Sequence, residues 1–191
     1  MNAIQHNTIH NTQHNTQQYF CTLDGDGVKC FLLPENDHIF SQDMINFCSS
    51  NSNIKLLIKY PRGNINTLNN LFKMKLEQYA IILHEETLTI NKSCFNELLK
   101  MLYFQYDWSH KTSSLTKKLN KTWYGTTNNK DNRQITFYLF ELNSESQLRQ
   151  MKSDIRDVYS TMHCLHTSDN QHETLLFLNY LQENKIEFLK F

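Results

Sequence analysis

The sequence predicts an α/β domain with a mainly parallel sheet and helices on both faces. Three observations carry this. Residues 134–191 alternate strand, helix, strand, helix, strand, a C-terminal β-α-β-α-β unit. In the middle of the chain, a stretch of helical period lies between the apolar runs 54–60 and 79–84. An N-terminal hairpin precedes both. Strands joined through a helix are expected to be parallel, with a right-handed crossover.

The elements follow in order. Residues 1–18 are low in complexity, with His6-Asn7-Thr8, His10-Asn11-Thr12 and His14-Asn15-Thr16 recurring every four residues. On a helix the three imidazoles would share a face and bind Ni²⁺ or Zn²⁺. Asn and Thr are weak helix formers and the segment has few apolar anchors, so a disordered tail is expected instead. Residues 19–191 are read as one α/β domain. It opens with strands either side of Asp24-Gly25-Asp26-Gly27, a turn whose residues tolerate positive φ. Ser41 caps a short helix. Residues 54–60 form a buried strand, 65–78 a helix with Ile65, Leu68, Leu71, Phe72 and Leu76 near one face, and 79–84 a strand. Leu88-Thr89-Ile90 adds a short edge strand, and Asn91 or Ser93 caps a helix reaching Tyr106. A basic excursion spans 107–133, carrying Lys111, Lys117, Lys118, Lys121, Lys130 and Arg133 among Trp108, Trp123 and Tyr124. In the closing unit, Ser144-x-x-Gln147 has capping-box form, and Ser168-x-x-Gln171 or Asp169 caps the last helix.

Composition narrows the function. Lys plus Arg and Asp plus Glu both number 19 in 191 residues, so no net field recruits nucleic acid or an anionic membrane. Apolar runs are too short to span a bilayer, and no signal-peptide pattern opens the chain. Five widely spaced cysteines without C-x-x-C suit reduced thiols in the cytoplasm. Cys21 and Cys30, facing across the hairpin, are the one pair placed to bridge.

The chemistry concentrates at His163-Cys164-Leu165-His166-Thr167-Ser168-Asp169 and His172-Glu173-Thr174, where a strand gives way to a helix. Open α/β sheets place ligands at such junctions. His166 is the candidate acid, base or nucleophile. Asp169 and Glu173, four apart on the helix, either orient it or hold Mg²⁺ together with phosphate oxygens; alternatively they cap and charge the helix start. Strand positions three apart face opposite ways, so His163 and His166 meet one metal ion only where the strand has already ended, and local packing of His163 is the expectation. The candidate ligand-binding set is Arg62, Gly63 and Asn64 in a turn before a helix, His84 at a strand exit, and Arg133.

His166-Thr167-Ser168-Asp169 is similar to the His-Gly-Ser-Asp motif of nucleoside diphosphate kinases, with Gly125-Thr126-Thr127-Asn128 and Asp26-Gly27-Val28 echoing two further motifs. Asp24-Gly25 stands where that family has Lys-Pro, and Asn128 lies too far from His166, so membership is rejected. Residues 132–191 resemble a segment of larger proteins from bacterial and giant-virus surface-glycan gene sets. The resemblance rests on Asp131-Asn132-Arg133-Gln134, His163-x-x-His166-x-x-Asp169-x-x-x-Glu173-Thr174 and Glu183-Asn184-x-Ile186-x-Phe188-Leu189, and implies a sugar or nucleotide-sugar setting.

The expectation is a transferase-like domain handling a nucleotide or sugar phosphate. The alternative is a non-catalytic scaffold that binds a protein partner.

Overall fold

A computed structural model describes residues 19–24, 27–32, 41–63, 66–123 and 132–183. The chain divides into two compact units, 1–36 and 37–191. The first contains an antiparallel hairpin of β1 (Tyr19–Asp24) and β2 (Gly27–Leu32), in which Cys21 and Cys30 are register partners. The polar repeat of residues 1–18 and the closing strand expected at 186–189 lie outside the described residues.

The second unit is built on a four-stranded sheet. Its elements are α1 (Gln42–Ser49), β3 (Ile54–Lys59), α2 (Asn69–Glu77), β4 (Ala80–Asn91), α3 (Lys92–Leu102), α4 (Thr112–Trp123), β5 (Asn132–Leu142), α5 (Leu148–Val158), β6 (Leu165–Thr167) and α6 (Gln171–Glu183). The strand order is β4-β5-β3-β6, and every pairing is antiparallel. This corrects the expected parallel sheet. Because β3 and β4 both run antiparallel to β5, they are parallel to each other, as strands linked through a helix should be, but β5 lies between them. The same holds for β5 and β6 around β3. Two split β-α-β units thus interleave, giving the ferredoxin-like order, with α3 and α4 inserted between its second and third strands.

Helices do cover both faces. On one, Phe72 and Leu76 of α2 and Leu148, Met151 and Ile155 of α5 pack on Leu57, Tyr138, Phe140 and Leu165. On the other, α6 packs against β3, with α1 and α3 beside it. Tyr60 meets Phe95 of α3 edge-on at 5.5 Å. All six residues of β3 are buried, including Lys55 and Lys59. Lys55 pairs with Glu145 at 2.7 Å, while Lys59 donates to Asn69 Oδ1 at 2.6 Å and lies over the Phe72 ring.

Several boundaries differ from expectation: α2 begins at Asn69 after a 3₁₀ turn, Asn66–Leu68, and α3 ends at Leu102 rather than Tyr106. The two strands expected at 79–84 and 88–90 are one strand of twelve residues, with a bulge between Ile82 and His84 that lets it follow β5 throughout. Ser144 does not cap α5: its hydroxyl bonds to that of Ser146, and a 3₁₀ turn, Glu145–Gln147, leads into the helix. Ser41 and Asn91 cap α1 and α3 as expected, accepting from Met44 N and Cys94 N.

Candidate functional site

β6 is only three residues long and forms one edge of the sheet. Among the described residues no strand pairs beyond β6, and helices of both faces meet beside it. α5 brings Lys152 and Arg156, four apart on one helical face. The end of α3 and the turn that follows bring Tyr103, Tyr106 and Trp108, and α4 adds Lys118. With Met162, His163, Leu165, His166, Thr167 and Asp169 they enclose a cleft of about 350 Å³.

The polar groups of this cleft are poorly satisfied from within the protein. Thr167 is 3 % exposed, yet its hydroxyl has no hydrogen-bond partner. The buried His163 Nδ1 and Arg156 Nε are likewise without one. Buried polar atoms left without a partner carry a free-energy cost that a bound molecule can offset.

The electrostatics are one-sided. Burial pushes the Lys118 ammonium down to about 8, and the neighbouring charges of Arg156 and Lys121 push the same way. The Lys118 ammonium sits over the ring of Tyr103 at 4.8 Å. His163 is held below the usual imidazole range, first by burial and then by four cations, Lys118, Lys121, Arg62 and Arg156. Among the described residues, no carboxylate pairs with Lys118 or Arg156. Lys152 does have one, Asp169, whose side chain is 60 % exposed.

The structure brings His166, Asp169 and Glu173 together. His166 stands edge-on to both Tyr103 and Phe177, each centroid at 5.3 Å, and its side chain is 10 % exposed. Its Nε2 lies 3.6 Å from Glu173 Oε1, too long for a hydrogen bond. Burial lowers the affinity of His166 for a proton, and Glu173 opposes this. Both carboxylates are already engaged. Asp169 pairs with Lys152, and Glu173 Oε2 accepts from Asp169 N at 2.6 Å. Asn170 Oδ1 accepts from Glu173 N at 2.9 Å, so the cap of α6 is Asn170, not Ser168 or Asp169. Among the described residues, no group of three or more His, Cys, Asp or Glu could hold a metal.

The remaining candidates lie elsewhere. His84 is on β4, the opposite edge of the sheet. Three strand spacings of about 4.8 Å each separate it from β6, roughly 14 Å. Arg133 donates to Trp123 O at 2.7 Å and lies over that ring, fastening the end of α4 to the start of β5. Arg62, in the 3₁₀ turn Pro61–Gly63, donates to Lys121 O at 3.2 Å and adds charge near His163 without lining the cleft. Gly63 closes that turn, and Asn64 lies outside the described residues. Sequence reasoning passed over Lys152, Arg156 and Tyr103, and named Lys118 and Trp108 only within the basic excursion and Tyr106 only as a helix end. The i, i+4 spacing of Lys152 and Arg156 was the one local signal, and only the sheet order shows that α5 and α4 meet at the same edge.

No family model matches the chain, and no curated protein matches it.

Proposed function

We propose that this domain binds a small phosphorylated ligand in the cleft beside β6. The observation that carries the reading is the convergence of Lys118, Lys152 and Arg156, drawn from α4 and α5, on one cleft, with no carboxylate paired to Lys118 or Arg156 among the described residues. Cations crowded together lower one another's proton affinity, and a bound phosphate reverses this by supplying charge-assisted hydrogen bonds. Arg156 is suited to bidentate contact, with Lys118 and Lys152 as point charges. A nucleotide or sugar phosphate of a glycan-building setting fits this chemistry. The buried, unbridged Cys48 and Cys164 are in keeping with a reducing, cytoplasmic location. Among the described residues, no helix is long and apolar enough to cross a membrane.

The role proposed is binding rather than catalysis. His166 is packed between rings, and burial pushes the Cys164 thiol up to about 11, where it is a poor nucleophile. The scaffold reading draws on exposed Met74, Ile81 and Met162, side chains suited to a protein partner. Thermal-shift titration with nucleoside phosphates, sugar phosphates and inorganic phosphate separates the two. A rise in melting temperature that is lost in Arg156→Ala supports ligand binding. No rise with any of them leaves the scaffold reading.

A further inference from the structure

The cleft is not lined by cations alone. Tyr103, Tyr106 and Trp108 form an aromatic cluster on the side contributed by α3 and the turn after it, with Tyr103–Trp108 centroids 5.0 Å apart and Tyr106–Trp108 6.2 Å apart. Tyr106 and Trp108 are inclined at only 32° to each other, and Tyr106 is 40 % exposed. Tyr103 is committed inward, its hydroxyl bonded to that of Tyr60 at 2.9 Å and its ring edge-on to His166. Tyr106 and Trp108 are therefore the faces on offer to a ligand. Met162, 61 % exposed, adds an adaptable apolar side chain to the lining of the same cleft.

Resting on the phosphate-binding reading above, we infer that the ligand is a nucleotide, with its base against Tyr106 and Trp108 and its phosphate among Lys118, Lys152 and Arg156. Rings tolerate any base, because every base presents a π face. A sugar phosphate would find fewer partners for its hydroxyls here than a base finds for its π face. Hydroxyl-rich rings are held by carboxylates and amides that accept and donate, and this cleft contains neither Asn nor Gln and one carboxylate, Asp169, already paired with Lys152. A single nucleotide fits better than a strand, because the chain carries no net positive charge to follow a phosphate backbone.

Matched ligands test this on the full chain. Ribose 5-phosphate and the four common nucleoside 5′-monophosphates share one phosphate and a pentose and differ by the base. At least one nucleotide should bind about tenfold or more tighter than ribose 5-phosphate, as expected of base–aromatic stacking. The same nucleotide should quench Trp108 fluorescence, with the buried Trp123 left unaffected. Trp108→Leu should abolish the quench. Tyr106→Leu, at an exposed position that tolerates change, should bring nucleotide affinity down toward that of ribose 5-phosphate at an unchanged melting temperature. Ribose 5-phosphate binding as tightly as every nucleotide, with Tyr106→Leu neutral, would overturn the inference and leave the phosphate reading in place. Adenosine binding as tightly as its monophosphate would overturn both, as would binding by none of the ligands.

Discussion

Asn170 carries the first turn of α6, and this reassigns two neighbouring residues. Its side chain accepts from Glu173 N, and the Glu173 carboxylate returns to accept from Asp169 N, a reciprocal arrangement of capping-box type. Asn170→Ala should therefore cost about 1 kcal/mol of stability, measured by denaturant titration. Asp169→Asn should cost far less, since its exposed pairing with Lys152 is of a kind worth roughly 0–1 kcal/mol. The same substitution removes the cleft's exposed carboxylate and frees Lys152, so a phosphomonoester should bind more tightly to it. Weaker binding would place Asp169 on the ligand instead. His166→Ala belongs with core substitutions: wedged between Tyr103 and Phe177, it should lose about 2–4 kcal/mol, as large-to-small changes in aromatic packing do. In the sequence His166 looks like a partly exposed strand-end imidazole, because nothing local announces the rings of α3 and α6 that enclose it.

Lys118 supplies a pH dependence. Burial lowers its folded-state value to about 8 from an ordinary 10.5, so the folded protein releases this proton before the unfolded chain does. The energetic penalty of holding the charge is present below pH 8 and is relieved as pH rises through 8 toward 10.5, which favours folding. Ligand binding moves the other way. A phosphomonoester, dianionic above about pH 7, loses an attractive charge as Lys118 deprotonates. Its affinity should fall by up to about tenfold between pH 7 and 9. Lys118→Arg, charged throughout, should flatten that profile, and calorimetric titration at each pH checks it.

At the scale of elements, the brevity of β6 is compensated by a side chain. Where its ladder ends, Ser168 Oγ accepts from Leu56 N at 2.9 Å and bonds to the Thr174 hydroxyl at 2.7 Å, tying β3, β6 and α6 together. Ser168→Ala leaves a buried N–H unpaired and should cost about 1–3 kcal/mol. Most elements were legible: β3, β5, α1, α3, α5 and α6 lie where apolar period puts them, although the caps of α5 and α6 and the end of α3 are not those expected. The sheet's direction was not. Apolar-rich runs such as Ile54-Lys55-Leu56-Leu57-Ile58 suit a parallel strand, yet any strand covered on both faces reads the same way. Whether a helix-linked strand lands beside its predecessor or one place further is decided by long-range pairing, here of β5 with both β3 and β4, which no local window contains.

At the scale of the molecule, the strand order separates residues that a parallel sheet would have gathered at one edge. His84 and His166 lie on opposite edges of the sheet, and the basic excursion contributes Lys118 to the cleft while Arg133 anchors its return. With all charges balanced globally, the cationic character is local to the β6 edge. The five cysteines bear on the cellular setting. All should react with a thiol reagent after unfolding without reductant, whereas only three reacting would show Cys21 bridged to Cys30 and contradict a reducing location. The central claim is that the β6 edge is the ligand site. Its most direct test is an amide NMR titration of the full chain with a nucleoside monophosphate. The account predicts shifts confined to Tyr103–Trp108, Lys118, Lys152–Arg156 and Met162–Asp169. Shifts centred on His84–Glu86 and the β4 edge, or none at saturating ligand, would contradict it.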